Sequence, residues 1–269
     1  MRLLLLSPDF ASHWSPLSVV AAHARSAGHD VIVATGPTLR PQVEAAGFPW
    51  RHLRLGRGAN DGVASGRDPA EAAALDRFVA ATRDGAIATL SLQAEERLTD
   101  LLFEPERVVA DVVRLVDEVD PARLVVDHVS FNSTLAAVVT GRPFTTVVPG
   151  HPSQLPVGDE RYGLPAAWPS AITPATDGLD DLRRTCERVA ERFTARWNRA
   201  VAAIDPSVDA VDDAFVVTGE RVLLHWSQAH HHPTRTPYLP PGTTFAGPLT
   251  RTDPAASPPG SEGDDRPLV

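Results

Sequence analysis

Residues 2–35 read RLLLLSPDFASHWSPLSVVAAHARSAGHDVIVAT, two apolar runs with a helical pattern between them. Arg2 to Ser7 is an apolar run stopped by Pro8-Asp9, the pattern of a strand buried on both faces of a parallel sheet. A loop from Pro8 to Trp14 is expected next. Ser15-Pro16 has the form of an N-cap and first helical residue, so a helix is expected from there to Ala27, stopped by Gly28. Asp30 to Thr35 is a second strand. Thr38 to Ala46 predicts a short helix closed by Gly47, and Phe48 to Leu53 a third strand. Strand and helix alternate, which implies an α/β fold: a Rossmann-like parallel sheet flanked by helices, with right-handed crossovers.

The pattern continues outward from this unit. Gly56 to Asp68 is polar and Gly-rich and reads as a loop. Pro69 to Glu118 is largely helical, in two or three pieces broken near Gly85 and Pro105. Arg123 to Asp127 predicts a fourth strand, Phe131 to Thr140 a helix stopped by Gly141, and Pro143 to Val148 a fifth strand. Pro149 to Pro174 reads as an ordered surface loop. A long helix is expected over Leu179 to Ile204, and short strands over Arg221 to His225 and Thr244 to Ala246. Residues 1–249 thus form one domain. Residues 250–265 are rich in Pro, Ser, Gly and acid and read as an interdomain linker. The apolar turn at residues 266–269 reads as the start of a second domain that is missing.

Composition removes several classes of function. The chain has 269 residues, a formal net charge of −9 and 43% hydrophobic residues, ordinary values for a globular domain. An acidic chain with no basic stripe is not expected to bind nucleic acid. All 25 basic residues are arginine, which excludes lysine-dependent phosphate loops and Schiff-base chemistry. A lone cysteine, Cys186, supports neither a disulfide framework nor a thiolate zinc site. The apolar run after Met1 stops too soon for a signal peptide, and no stretch is long enough to span a membrane. The expected location is the cytoplasm.

In an open parallel sheet, ligands bind beyond the carboxyl ends of the strands, where strand order reverses. That point should lie between the first and fourth strands. His13, in the loop after the first strand, and Asp127, closing the fourth, both fall there, and adjacent strands run about 4.8 Å apart. A histidine paired with a carboxylate can abstract a proton at neutral pH. On position alone, a solvated loop histidine and a helix-capping aspartate are the commoner readings of these two residues. Ser7 to Ser15 holds no glycine, so no dinucleotide-type pyrophosphate site is expected at the first turn, and no residue of this chain is assigned to a cofactor. His230-His231-His232 reads as a surface loop rather than a metal site, because no carboxylate stands at helical spacing. Asn132-Ser133-Thr134 matches a glycosylation sequon but is expected to open a helix.

Several segments, in order, resemble family-1 glycosyltransferases of the antibiotic- and macrolide-tailoring kind. His13-Trp14-Ser15-Pro16-Leu17 is similar to their His-x-x-Pro-Leu segment, and Ala27 to Thr35 to their Gly-His-Asp-Val second strand. Val43 to Gly47, Pro121 to Asp127, Phe245 to Leu249 and Arg266 to Val269 resemble further family segments. The family's glycine before the histidine is Ser12 here, and the aspartate after its proline is Ala122. The resemblance implies the N-terminal, acceptor-binding half of an inverting GT-B enzyme. It implies His13 as general base, Asp127 as its partner, and a UDP- or TDP-sugar bound by the missing C-terminal donor-binding domain. The expected acceptor is a small hydrophobic natural product. Phe10, Trp14 and Phe131 read as acceptor-pocket walls or as core packing alike. His151 and Ser153, in Gly150-His151-Pro152-Ser153, fit the acceptor pocket better than a hydrolase elbow.

The fragment alone is not expected to transfer sugar. The alternative from a different class is a non-catalytic acceptor-binding or helper subunit that pairs with a separate donor-binding chain. A related epimerase or hydrolase is a third. A severed half would also leave an apolar face, so homodimerisation is an expectation.

Overall fold

The structure is a computed structural model that describes residues 1–56, 69–150, 154–168, 172 and 174–249. The expected loop at residues 57–68, the linker at 250–265 and residues 266–269 lie outside the described residues. Among the described residues, seven strands form one sheet in the order β3-β2-β1-β4-β5-β6-β7, and every pair is parallel. They are β1 (Arg2–Leu6), β2 (Asp30–Thr35), β3 (Trp50–His52), β4 (Arg123–Asp127), β5 (Phe144–Val148), β6 (Arg221–Leu224) and β7 (Thr243–Phe245). From β1 the chain builds outward to β2 and β3, then returns to lay β4 against the other side of β1. The order reverses there, as the sequence implied.

Helices cover both faces. On one lie α1 (Ala11–Ser26) and α2 (Arg40–Ala45), over a core that includes Leu3, Leu5, Trp14, Leu17, Val33 and Val125. The opposite core takes Leu4, Leu6, Leu124 and Val126 from the same strands. Over it pack α4 (Ala86–Asp100), α5 (Pro105–Val119), α6 (Phe131–Thr140) and α7 (Thr176–Ile204), while α3 (Pro69–Asp84) precedes α4. Alternate strand residues therefore serve opposite cores, as the period of an extended chain requires. In α5 the buried set Val108, Val109, Val112, Leu115, Val116 and Val119 repeats at helical spacing and accounts for its docking. Gly141 ends α6 in the left-handed conformation, φ 60°, where a side chain would be strained.

One boundary differs in a way that matters. The helix expected to open at Ser15-Pro16 opens a turn earlier, at Ala11, with Pro16 inside it. Pro16 has no N–H, so the Ser12 carbonyl loses its partner one turn on. Burial outweighs that loss: Trp14 and Leu17, on one helix face, are 3% and 0% exposed. His13 therefore stands in the first turn of α1, not in a loop.

Candidate functional site

The site forms where β1 and β4 end side by side. Asp127 is the last residue of β4, and its side chain points to the same face as Val125, the face that α1 covers. The first turn of α1 carries His13 over it. The Nδ1 of His13 lies 2.7 Å from Oδ2 of Asp127. The other carboxylate oxygen, Oδ1, accepts the Val129 backbone N–H at 2.9 Å. Asp127 is 0% exposed, so its rotamer is fixed by these contacts and by its surroundings. A carboxylate can only accept, hence Nδ1 carries a proton, and in the neutral ring Nε2 presents a lone pair. Nε2 makes no hydrogen bond among the described residues, and the ring is partly open to solvent, with 23% of the side chain exposed.

The electrostatics follow from the same contacts. Burial is the largest influence on His13 and lowers its pKa, but the hydrogen bond and the charge of Asp127 together outweigh it, and the pKa is raised. The protonated ring is thus stabilised, which suits a group that must take a proton during a reaction.

His128, the next residue, points to the other face. It is 0% exposed and sits against Phe131, ring centroids 5.9 Å apart. Burial dominates and lowers its pKa to about 4. The Asp127 charge and the backbone carbonyl groups of Gln154 and Phe215 favour the charged form more weakly. Among the described residues, neither ring nitrogen completes a hydrogen bond. His128 is a neutral core residue at pH 7.

The remaining sequence candidates fall as follows. Phe10 is the N-cap residue of α1, half-buried, with its ring 5.8 Å from the His13 ring. Trp14 packs edge-on to Phe48 in the α1 core. Phe131 is 1% exposed and meets Tyr162, Phe193 and Phe215 edge to face. Both are core side chains, the packing alternative held open above. His151 and Ser153 lie outside the described residues. Asn132 opens α6 as expected, and its amide donates to the carbonyls of Leu55 and Phe103 at 2.9 and 2.8 Å. Of the histidine run, His230 and His232 are exposed, whereas His231 is buried with its ring 5.0 Å from that of Phe245. Among the described residues, no group of three or more His, Cys, Asp or Glu could hold a metal ion. Nor is any described helix long and apolar enough to cross a membrane.

One residue near the dyad has no sequence signature. Asp9 accepts backbone N–H groups from Thr38 and Leu39, at 3.1 and 2.9 Å. A carboxylate in a Pro-Asp-Phe loop reads as an ordinary turn residue, and its partners are distant in sequence. A surface groove of about 620 Å³ runs along Val109, Ala110, Val113 and Ile204 on α5 and α7, in the helical layer opposite the dyad.

No family model matches the sequence, and no curated protein matches it significantly. Solved structures do match in shape. The glycotransferase of kitacinnamycin is 15% identical; the match covers 100% of this chain and 55% of that one, with a TM-score of 0.53. The glycosyltransferase SsfS6 of Streptomyces sp. SF2575 is 15% identical, with 91% and 53% covered and a TM-score of 0.48. The spinosyn forosaminyltransferase SpnP is 16% identical, with 87% and 48% covered and a TM-score of 0.47. The chain spans about half the length of these structures. At this identity the likeness is one of fold alone: the chain carries a Rossmann-like parallel architecture that it shares with the glycotransferase of kitacinnamycin.

Proposed function

We propose that this chain is the acceptor-binding half of an inverting glycosyltransferase, with His13 as general base and Asp127 as its partner. The observation that carries the reading is the 2.7 Å contact between His13 Nδ1 and the buried Asp127 carboxylate at the reversal point of the sheet. It leaves Nε2 as a lone pair beyond the carboxyl ends of the strands, the side on which an open α/β sheet takes its ligand.

The acceptor hydroxyl gives its proton to Nε2 as its oxygen bonds to the anomeric carbon of a UDP- or TDP-sugar. The bond from that carbon to the diphosphate oxygen breaks, the nucleoside diphosphate leaves with the electron pair, and the configuration inverts. Asp127 stabilises the imidazolium that forms. The donor is held by a second domain. The half-buried ring of Phe10, beside His13, gives the acceptor an apolar wall, which suits a small hydrophobic natural product.

His13→Ala, made in the chain joined to its donor-binding half, tests the reading. Sugar transfer should fall by roughly two to four orders of magnitude, while the thermal unfolding midpoint and acceptor binding stay close to wild type. Retention of most of the activity removes His13 from the chemistry and the proposal with it.

A further inference from the structure

We propose that Asp9 is a positioning residue for His13: its carboxylate anchors the loop between β1 and α1 to the turn after β2, and so sets where the imidazole stands. The proposal rests on the reading of His13 as the base.

The anchor is two-pronged. Oδ1 accepts the Leu39 N–H at 2.9 Å and Oδ2 the Thr38 N–H at 3.1 Å. Gly36 lies against the same carboxylate so closely that a β-carbon there would stand 2.3 Å from Oδ2 and 2.7 Å from the Asp9 β-carbon. The backbone at Gly36 can carry no side chain while Asp9 is docked. Around this contact the loop is tied to the end of β2 by Ser7 N–H to the Ala34 carbonyl, 3.1 Å, and by the Thr35 hydroxyl to the Pro8 carbonyl, 3.4 Å.

The path from anchor to imidazole is short. Phe10, next to Asp9, caps α1, and its carbonyl accepts the N–H groups of His13 and Trp14, each at 3.0 Å. The Phe10 N–H in turn donates to the Pro8 carbonyl at 2.9 Å. Pro16 withdraws the bond that would tie Ser12 to the following turn, so the first turn of α1 depends more on what precedes it. His13 is thus held from one side by Asp127 and from the other, through Phe10, by Asp9. A base must sit within hydrogen-bond reach of the proton it takes, and a displacement near 1 Å costs about a hundredfold in rate.

The test uses Asp9→Ala, Asp9→Asn and Gly36→Ala. Turnover is read in the chain joined to its donor half, and the His13 titration by NMR in the chain itself. Asp9→Ala should lower kcat roughly ten- to a hundredfold with acceptor KM within about twofold, and should move the His13 titration midpoint downward as the Asp127 contact loosens. Gly36→Ala pushes the same carboxylate out from the opposite side and should do both as well. Asp9→Asn keeps one oxygen acceptor and should recover part of each effect. Arg2→Ala, which breaks contacts to Asp30 and the Val119 carbonyl at the far end of β1, controls for general loosening and should leave kcat and the titration in place.

An unmoved His13 titration and kcat in both Asp9→Asn and Gly36→Ala overturns the proposal, even if Asp9→Ala does not fold. His13→Ala separates this result from the reading beneath it. Full activity in His13→Ala with a shifted His13 in the Asp9 variants removes the base assignment and leaves the anchor. Lost activity in His13→Ala with an unmoved His13 in those variants removes the anchor alone.

Discussion

Replacing Asp127 with asparagine changes two things at one point. The oxygen facing Val129 is kept, so its 2.9 Å contact survives. The group facing His13 becomes an amide N–H, which can only donate. It forces Nδ1 to accept, moves the ring proton to Nε2 and turns the base the wrong way round. The carboxylate charge also disappears. With contact atoms 2.7 Å apart, the charge centres of carboxylate and imidazolium stand about 4 Å apart, which at an effective dielectric constant near 20 is about 4 kcal/mol. That corresponds to roughly a thousandfold in kcat. Both hydrogen bonds can still form, so the fold should lose only about 1 kcal/mol. The assay is sugar transfer in the joined protein, with ¹⁵N shifts of the His13 ring reporting the tautomer. In the wild type, kcat/KM should rise with pH through a midpoint above the ordinary imidazole value; in Asp127→Asn burial acts alone and the midpoint should fall. A kcat within tenfold of wild type, with the ring proton still on Nδ1, would mean that the Asp127 carboxylate neither orients nor charges the base.

The two central histidines should shape stability against pH in opposite senses. The pKa of His128 is lowered from 6.5 to about 4, so the unfolded chain takes up a proton that the folded chain refuses, and stability falls as pH drops through that window. The loss approaches about 3 kcal/mol at the acid end. His13, whose pKa is raised, adds stability that is full below the unfolded value and fades as pH rises through its folded midpoint. Urea midpoints from pH 4 to 9 should therefore slope on both sides, and His128→Gln should flatten the acid slope alone; an unchanged acid slope would count against a neutral buried His128. Phe131→Ala removes a side chain 1% exposed that meets three aromatic rings edge to face. It should cost about 3–5 kcal/mol in denaturant unfolding, and a cost under about 1 kcal/mol would place Phe131 outside the core.

The strands were legible because both signals that mark them are local. Leu3 to Leu6 and Val31 to Ala34 are unbroken apolar runs, and both proved to be central strands. Gly141 likewise announced the end of α6 through its own conformational freedom. The start of α1 was not legible, because Pro16 is a common first helical residue and only the burial of Trp14 and Leu17 reveals that it sits inside. The meeting of His13 and Asp127 could be inferred from strand order, since parallel strands that share an end bring those positions together. Their tautomer could not, because it depends on which ring nitrogen turns inward. Asp9 was opaque for a related reason: its worth lies in two backbone donors brought close by the β1–β2 pairing, and a carboxylate in a loop says nothing about its partners. The same holds for His231, placed with His230 and His232 in a surface loop yet buried against Phe245.

The neighbours Asp127 and His128 face opposite ways at the end of β4, one toward an imidazole and the other toward aromatic rings. A misthreaded chain, with this strand displaced by a single residue, would thrust the carboxylate into the greasy layer and offer His13 a second, repelling base. Leucine and valine on both sides of the strand would tolerate such an error almost unnoticed. The adjacent pair does not, so the residues proposed for chemistry also act as a key that admits only one alignment of the strand.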